Sequence, residues 1–470
     1  MVETLEVASL PLAPKNPLPY WQQAKAFRAY HTGPEELRDA GGPVTRIRLA
    51  PRWMAPTVVV TTSPKGARDV LGRTDAFLDK RLPAFEEHRR VMGGNLFNLN
   101  HDAWLPLRRA LQPVFTKQHV AQFGEYMAEA AERVPRGWCD GAEVDLGAEC
   151  HLLTLRALGR SVLGLDLDQR ADVVAGPLGI VTKYATDRGL RPVRAPAWLP
   201  TPARRRVHAA NDALHRLGDE IVRTCRTDAT IDAPLVHALI AATDPATGRP
   251  LTDEQIRQEL FIFMFAGHDT TATALTYALW ALGHRPDMQD RVAAEAADVG
   301  DRPLTPEDVP RLGYTVQVLH EVLRLCPPAP AVIRMAMQEI EVDGYRVEAG
   351  TATLVGIYAM HRDPALWDNP LVFDPDRFSL ENSKGRDRWQ YLPFGGGPRS
   401  CIGDHFAMLE ATLALATIVR GAEIRSLEDD FPLAIPFTMV PGGPIRARVH
   451  ARGTAKYPSA QDESEYRCNP

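Results

Sequence analysis

Cys401 is the residue whose surroundings most clearly indicate chemistry. It lies in the glycine-rich stretch FGGGPRSCIG, residues 394–403. The residues that follow place apolar or small side chains at helical spacing: Ile402, Phe406, Leu409, Leu413 and Ala416. We therefore expect Cys401 at a helix N terminus, where unpaired N–H groups and the helix dipole favour the thiolate over the thiol. Because the thiolate is the form that binds metals, the stretch is predicted to be a metal-ligand loop.

An isolated cysteine is more often a small, inert core residue. The pattern around Cys401 argues against that explanation. F-x-x-G-x-R-x-C-x-G fixes five residue types in ten, and ordinary residue frequencies give about 10⁻⁴ chance matches in a chain of this size.

A second group of reactive side chains lies inside the longest predicted helix, residues 254–283, which would be about 45 Å long. Its middle, 261–267, is apolar on all sides and is predicted to be buried. The sequence AGHDTT, residues 266–271, begins within the end of this apolar stretch. Taken alone, the motif is most simply explained by a threonine hydroxyl that bonds a carbonyl four residues earlier and an Asp269 that forms an ion pair.

Two further pairs of residues lie at helical spacing. Trp104 and Arg108 are four residues apart, and Glu321 and Arg324 are three apart, so each pair shares a helix face. Taken alone, the first pair is most simply a surface arginine stacked on a tryptophan. The second is most simply an exposed ion pair worth under about 1 kcal/mol.

Taken in chain order, from Trp104 to Cys401, the motifs resemble those of the cytochrome P450 family of haem-thiolate enzymes. The resemblance covers roughly residues 104–421. It implies a mainly α-helical fold with a smaller β-sheet region, in a single large domain with the haem between the long distal helix and the cysteine loop. The domain is expected to span residues 31–452, after a leader at 1–30 and before a disordered tail at 453–470.

The resemblance also implies a role for each matching residue. Cys401 would be the iron ligand, Asp269 and Thr270 would supply protons, and a structural network would join Glu321, Arg324 and Arg377. Residues expected to contact the haem are Trp104, Arg108, Ala266, Gly267, Arg334, Phe394, Arg399 and Gly403, with Ala266 and Gly267 leaving space for dioxygen.

The implied function is a monooxygenase with haem b that uses electrons from an external ferredoxin and its reductase. The partner could dock near Cys401 through a group of basic residues: Arg108, Arg109, Lys117, Arg386 and Arg388. A lipophilic substrate is expected because the candidate pocket residues are mostly apolar: Phe85, Leu96, Phe97, Phe263, Ala266, Val332, Phe437 and Met439. A peroxide-driven hydroxylase and a non-catalytic haem sensor are the alternatives, and the Asp-Thr pair disfavours both.

Composition limits the partners and the location. The formal charge of −5 over 470 residues gives no general basic field, which disfavours nucleic acid as a partner. Residues 1–30 contain neither the apolar core of a signal peptide nor an apolar run long enough to span a bilayer. A soluble, cytoplasmic, bacterial-type family member without a membrane span is therefore expected.

The remaining chain supplies the elements that would position these residues. β-Rich runs at 44–49 and 57–62 predict a strand pair, and further strands are expected within 340–358 and 431–449. A long loop, 78–100, is predicted to cover the substrate before a helix that starts near His101. Helices are expected at 118–134 and 149–163. The proline-rich segment 188–206 predicts a connector, which the resemblance makes a substrate-access lid.

Overall fold

Helices dominate the chain. The computed structural model describes residues 7–50, 55–73, 75–165, 171–189, 196 and 199–452. Its helices are α1 (Tyr20–Arg28), α2 (Gly33–Gly41), α3 (Pro64–Leu71), α4 (Pro83–Met92), α5 (His101–Leu111), α6 (Lys117–Val120), α7 (Gly124–Arg136), α8 (Leu146–Leu158), α9 (Ala171–Gly189), α10 (Pro202–Thr227), α11 (Pro234–Ala241), α12 (Asp253–Gly283), α13 (Pro286–Ala297), α14 (Gly313–Leu325), α15 (Ile357–His361) and α16 (Asp404–Gly421).

The long helix α12 is the axis of the helical region. A capping box begins it: the Thr252 hydroxyl accepts the Gln255 N–H (3.2 Å), and the Gln255 side chain accepts the Thr252 N–H (2.9 Å). Its middle is buried at Leu260, Phe261 and Ile262, as the all-round apolar sequence predicts. Helices α8, α14 and α16 pack against it and share one hydrophobic core with it.

The strands form small sheets beside the helices. They are β1 (Val44–Arg48), β2 (Thr57–Thr61), β3 (Leu78–Asp79), β4 (Glu143–Asp145), β5 (Ala331–Ala336), β6 (Ile340–Val342), β7 (Tyr345–Val347), β8 (Ala352–Gly356), β9 (Ala422–Ser426), β10 (Leu433–Ala434), β11 (Val440–Pro441) and β12 (Arg446–Ala451). The largest sheet has the order β1-β2-β8-β5-β3, with β2 and β8 parallel. A three-stranded sheet, β4-β12-β9, packs beside α12.

The predicted strand pair is present, because β1 and β2 are antiparallel with Val44 opposite Thr61. The Asp343-Gly344 turn joins β6 to β7 with positive φ at both residues (50° and 82°), as a tight hairpin turn requires. The helix predicted near His101 begins at that residue.

The expectation of a long loop at 78–100 was wrong. This segment contains β3 and the ten-residue helix α4, and Pro83 occupies the first turn of α4, where a missing N–H has no cost. The helix predicted at 118–134 is divided by the 3₁₀ turn Ala121–Phe123. The helix expected at 149–163 begins earlier, at Leu146, and continues past Leu158 as a π-helical turn, Gly159–Leu163.

The connector predicted at 188–206 is shorter than expected. Helix α9 extends to Gly189, and Pro202 begins α10, so the three consecutive arginines at 204–206 are helical. Residues 190–195 and 197–198 lie outside the described residues, and the lid role stays a prediction. The expected tail, 453–470, also lies outside them.

The described part of the expected leader folds against the domain. A β-bridge pairs Lys15 with Arg46, and a second pairs Leu12 with Arg346. Asn16 is buried, and its side-chain amide donates to the Leu37 carbonyl (2.8 Å).

Candidate active site

The loop that carries Cys401 is held by backbone contacts. The Cys401 N–H donates to the Phe394 carbonyl (2.8 Å), which closes the loop around the 3₁₀ turn Gly397–Arg399. Gly397 has a φ of 69°, and a Cβ there would lie 1.8 Å from the Leu71 carbonyl oxygen. Glycine is therefore required at this position for close packing of the loop on the end of α3.

Cys401 keeps accessible surface as a residue. Helix α16 begins only at Asp404, three residues later. Surrounding protein atoms partly desolvate the sulfur and raise the pKa of the thiol to about 11, although the Gly403 N–H and the Arg108 charge act in the opposite direction. The expectation that the helix terminus alone favours the thiolate was therefore wrong, because desolvation outweighs it. A coordinated metal would deprotonate the thiol.

Buried cations lie close to the loop. Arg399 forms an ion pair with Asp79 (3.1 Å), and Arg334 on β5 donates to the carbonyl of its neighbour Ile333 (2.9 Å). Burial and the Arg399 charge lower the pKa of Arg334 to about 9, and burial lowers that of Arg399 to about 10. Lys80 adds a third buried cation, with a pKa far below its ordinary value because of burial and both guanidinium groups.

Trp104 and Arg108 extend this group from α5. Trp104 is 3% exposed, and the Arg399 guanidinium lies over its ring at 4.4 Å. Arg108 donates to the carbonyl of Ser400 (3.1 Å), and Ser400 is the residue before Cys401. The tryptophan-arginine pair therefore contacts the cysteine loop itself and is not a surface stack.

This arrangement fits a haem. Asp79 also binds Arg81 (3.4 Å), so one carboxylate serves more than one cation. Partly compensated buried cations require further negative charge, which the two propionate groups of a haem would supply. The accessible thiol supplies a soft ligand for the iron. Cys401 would hold the metal, and Arg334, Arg399 and Arg108 would hold the carboxylates.

The distal helix presents Ala266 and Thr270. Ala266 is exposed although its neighbour Met264 is buried, so α12 leaves a space beside it. The Thr270 hydroxyl donates to the Ala266 carbonyl (2.6 Å). Its hydrogen is used within the helix, and its oxygen remains able to accept a hydrogen bond from a molecule in that space.

Asp269 faces helix α8. Its Oδ1 lies 3.5 Å from Nε2 of His151 and 3.9 Å from Nε2 of His268. Burial raises the pKa of Asp269, but the His151 hydrogen bond and the two histidine charges outweigh it, so the net pKa is lowered. Both parts of the simpler explanation for AGHDTT are therefore present, a back-bonded threonine and a paired aspartate. Neither contact prevents a role in moving protons.

Gly267 contacts α8 as well. A Cβ at this position would lie 3.1 Å from both methyl carbons of Leu158. The structure thus gives Gly267 a packing role between two helices, which differs from the expected role of leaving space for dioxygen.

Glu321, Arg324 and Arg377 come together as expected. Glu321 and Arg324 have no exposed surface, and two hydrogen bonds of 2.7 Å join them. Arg377 lies 3.5 Å from the Glu321 carboxylate. Arg324 also donates to the carbonyls of His361 (2.8 Å) and Pro370 (2.7 Å), so the network ties α14 to later segments of the chain.

Comparisons with known proteins agree with this geometry. The family model described as Cytochrome P450 matches residues 11–442. The chain belongs to the cytochrome P450 family. Among curated relatives, cyclooctatin synthase of Streptomyces melanosporofaciens is 34% identical over 410 residues, 87% of this chain and 88% of that protein.

A second relative and a solved structure extend the comparison. Cyclooctat-9-en-7-ol 5-monooxygenase of the same organism is 32% identical over 388 residues, 82% of this chain and 83% of that protein. The crystal structure of the cytochrome P450DA heme domain superposes with a TM-score of 0.83 at 25% identity, covering 94% of this chain and 98% of that one. The P450 described here is a haem-thiolate monooxygenase that requires a substrate, dioxygen and a redox partner.

Three of the P450's expected pocket residues meet in one aromatic cluster. The centre of the Phe97 ring lies 5.5 Å from that of Phe85 and 5.4 Å from that of Phe437. The Phe265 ring also contacts Phe437, with 5.3 Å between the ring centres. Phe263 packs instead on Phe115 (4.9 Å).

The other expected pocket residues are dispersed. Leu96 belongs to the main core, where its N–H donates to the buried Glu259 (2.9 Å). Val332 packs against the cluster under the large sheet. Met439 is fully buried in a separate cluster with Cys326 and Tyr358.

Sequence reasoning missed several polar residues near the site. His151 lies more than a hundred residues before Asp269, so no local pattern joins them. Glu410 on α16 is buried beside Thr271, and burial raises its pKa well above the ordinary value. Asp79 and Lys80 lie in the segment that was expected to be a loop. Two adjacent charged residues, an aspartate and a lysine, carry no sequence signal of burial.

No helix in the described ranges of this P450 is long and apolar enough to cross a membrane.

Proposed function

We propose that this P450 inserts one oxygen atom of dioxygen into a lipophilic small molecule, mostly hydrocarbon, of the kind named for its two Streptomyces relatives. The name cyclooctat-9-en-7-ol denotes one double bond and one hydroxyl group. The aromatic cluster of Phe85, Phe97, Phe437 and Phe265 would offer apolar surface to such a compound.

The observation that carries the proposal is the accessible Cys401 thiol beside buried, partly compensated guanidinium groups. The cofactor we propose is haem b, with Cys401 as its ligand from the protein. A haem bound through a cysteine thiolate activates dioxygen, so that one oxygen atom enters the substrate and the other leaves as water.

The chain's own contribution is to position groups and to move protons. Arg334 is buried and the Arg399 side chain is only 9% exposed, so their charges would bind the propionate carboxylates strongly. The Thr270 oxygen would accept a hydrogen bond and hold a proton donor next to Ala266. Asp269 would pass protons from His151, which is partly exposed to solvent, towards that site.

Electrons would come from a ferredoxin and its reductase. Of the basic residues expected to attract an acidic partner, Lys117 and Arg388 are exposed. Arg109 pairs with Asp244 (3.0 Å), and Arg386 is only partly exposed and lies over the Trp367 ring. Arg388 also lies over a ring, that of Trp389, but it remains exposed. Lys117 and Arg388 are the residues whose charge would guide docking.

The Cys401→Ala variant tests the ligand. The purified wild-type protein should show the red-shifted carbon-monoxide band of a thiolate-ligated haem, and the variant should lose that band. Cys225→Ala is the matched control because Cys225 is a free cysteine on α10, away from the loop. A variant at Cys401 that keeps the band would exclude Cys401 as the ligand.

A second experiment tests the substrate class. Lipophilic alcohols with few polar groups should shift the haem absorption spectrum of the wild-type protein, and Phe437→Ala should weaken their binding at least fivefold. Phe431→Ala is the control, because Phe431 packs in another aromatic group with Tyr277 and Trp280. Equal loss in both variants would exclude the Phe85-Phe97-Phe437 cluster as the binding surface.

A further inference from the structure

His151, His268 and Asp269 form a cluster at the contact between α8 and α12. The two imidazole rings are 5.1 Å apart and nearly perpendicular. One ring nitrogen of each histidine and a carboxylate oxygen of Asp269 all lie within 4.8 Å of one another, and Nε2 is the nitrogen that each histidine turns towards Asp269. Three potential ligand atoms therefore converge on one point.

A hydrogen bond fixes the tautomer of neutral His151. Its Nδ1 lies 2.8 Å from the Gly147 carbonyl oxygen, which can only accept, so Nδ1 carries the hydrogen and the lone pair is on Nε2, facing Asp269. The Thr154 hydroxyl lies 3.1 Å from the His151 carbonyl and 2.9 Å from Nδ1 of His268. When the hydroxyl donates to the carbonyl, it accepts from Nδ1 of His268, and Nε2 of that ring also carries a lone pair.

Nε2 of each histidine is turned towards the Asp269 carboxylate, and three bridging groups are possible between such atoms: a proton on His151, a water molecule or a metal ion. Metal-ligating histidines ordinarily donate their other ring N–H to a backbone carbonyl, hydroxyl or carboxylate, and both histidines already make such a bond. Side-chain exposures of 33% for His151 and 31% for Asp269 leave a route for an ion and a position for water.

The charge states match a metal site near neutral pH. Burial lowers the pKa of His268 to about 4, so its ring is neutral. Burial lowers the pKa of His151, but Asp269, the Gly147 carbonyl and the charge of Asp145 outweigh it and raise the net value. Asp269 is ionised. Binding a metal would therefore displace one proton, from His151, and two neutral nitrogens and one carboxylate would coordinate the ion.

We propose that His151, His268 and Asp269 bind a divalent transition-metal ion, with zinc as the best fit, in competition with the His151 proton. Two histidines and one carboxylate with an open fourth position are a common ligand set for zinc. The ligand separations of 3.5 and 3.9 Å exceed the roughly 3.3 Å of a tetrahedral site with bonds of about 2 Å, so the side chains would move inwards on binding.

The consequence for activity rests on the proposed function. If Asp269 passes protons towards Thr270, zinc would hold the carboxylate and inhibit oxidation. Zinc would then act as a reversible inhibitor at a position separate from the Cys401 loop.

Isothermal titration of the haem-loaded protein with zinc chloride tests the site itself. One zinc ion per chain should bind to the wild-type protein, and His151→Gln or His268→Gln should each weaken binding at least tenfold. The matched control is His208→Gln, at an exposed histidine on α10, which should leave the affinity unchanged. Wild-type affinity should rise with pH because zinc competes with a proton. Absence of binding, or wild-type affinity in both cluster variants, would overturn the proposal.

A second measurement separates this proposal from the proposed function. Oxidation of electron donor by the wild-type protein should fall when zinc occupies the site and recover when a chelator is added. Zinc that binds with the expected losses in the two variants, but leaves the oxidation rate unchanged, would support the metal site and exclude Asp269 from proton delivery. Cys401→Ala addresses the haem ligand independently of both results.

Discussion

Asp269 and Thr270 are adjacent in sequence, but their side chains make different contacts. Thr270 donates its hydroxyl hydrogen within α12, to Ala266, whereas Asp269 faces His151 on α8. One side chain is therefore placed to hold a molecule and the other to exchange protons with solvent. Substitutions at the two residues should therefore impair the oxidation reaction in different ways.

Thr270→Ala should leave electron consumption nearly unchanged while product per electron falls and hydrogen peroxide rises. The reason is that the threonine oxygen no longer holds a proton donor beside Ala266. Thr270→Ser is the matched control because it keeps the hydroxyl that donates to the Ala266 carbonyl. An alanine variant with wild-type product yield per electron would remove Thr270 from the mechanism.

Asp269→Asn should instead slow oxygen consumption itself, since proton supply becomes limiting. Positioned acid-base groups typically contribute about 10²- to 10⁴-fold to a rate, so a loss at the lower end of that range is expected. Parallel measurement of donor consumed, peroxide and product would show it. A variant that consumes oxygen normally but leaks peroxide would assign both residues the same role.

The sequence predicted Asp269 and Thr270 because both lie in one local motif on a strongly apolar helix. It did not predict His151, whose contact with Asp269 exists only because α8 packs on α12. The same limit applies to Cys401. The motif located the cysteine, but the direction of its pKa shift depends on burial, which a local pattern does not report.

Elements with a strong local pattern were predicted well, and those that depend on neighbours were not. Helix α12 lies within one residue of the expected start because a capping box and a long apolar run specify it. Helix α4 was missed because Pro83 suggested a break, whereas proline is well suited to a first helical turn. The Glu321-Arg324 spacing is equally compatible with a surface ion pair. Only the burial of the pair makes it important for stability.

Arg324→Ala should cause loss of folding or of haem, rather than only slower turnover. Glu321 would keep a buried charge without its main partner, which costs about 3 to 5 kcal/mol. The control is Arg291→Ala, because Arg291 and Asp376 form an exposed pair (3.2 Å) worth about 0 to 1 kcal/mol. Haem content and melting temperature measured on both variants distinguish the two cases, and an Arg324→Ala protein with wild-type values for both would contradict the structural role.

At the scale of the whole molecule, buried histidines connect segments that are distant in sequence. His361 follows β8 and has no exposed surface. Its Nε2 accepts the Leu392 N–H (2.8 Å), while its carbonyl accepts from Arg324 (2.8 Å). The order of motifs predicted one domain, but it could not predict that a histidine outside every motif joins the Glu321-Arg324 network to the segment before the cysteine loop.

Stability should therefore depend on the charge of His361. Burial, followed by the Arg324 charge, lowers the pKa of His361 to about 3, against about 6.5 in an unfolded chain. A histidine with a depressed folded pKa contributes stability that is present above the unfolded pKa and is lost as the pH falls through the window from 6.5 towards 3. The loss is about 1.4 kcal/mol per pH unit for one proton.

In His361→Gln the glutamine oxygen can accept the same Leu392 N–H and does not titrate. The wild-type protein should be more stable than this variant at pH 7.5, and the difference in free energy of unfolding should shrink steadily between pH 6.5 and pH 4.5. His208→Gln, at an exposed site on α10, is the control for the substitution itself. Urea unfolding midpoints of the three proteins across this range provide the measurement, and a wild-type advantage over His361→Gln that does not change with pH would show that His361 has the same pKa in the folded and the unfolded chain.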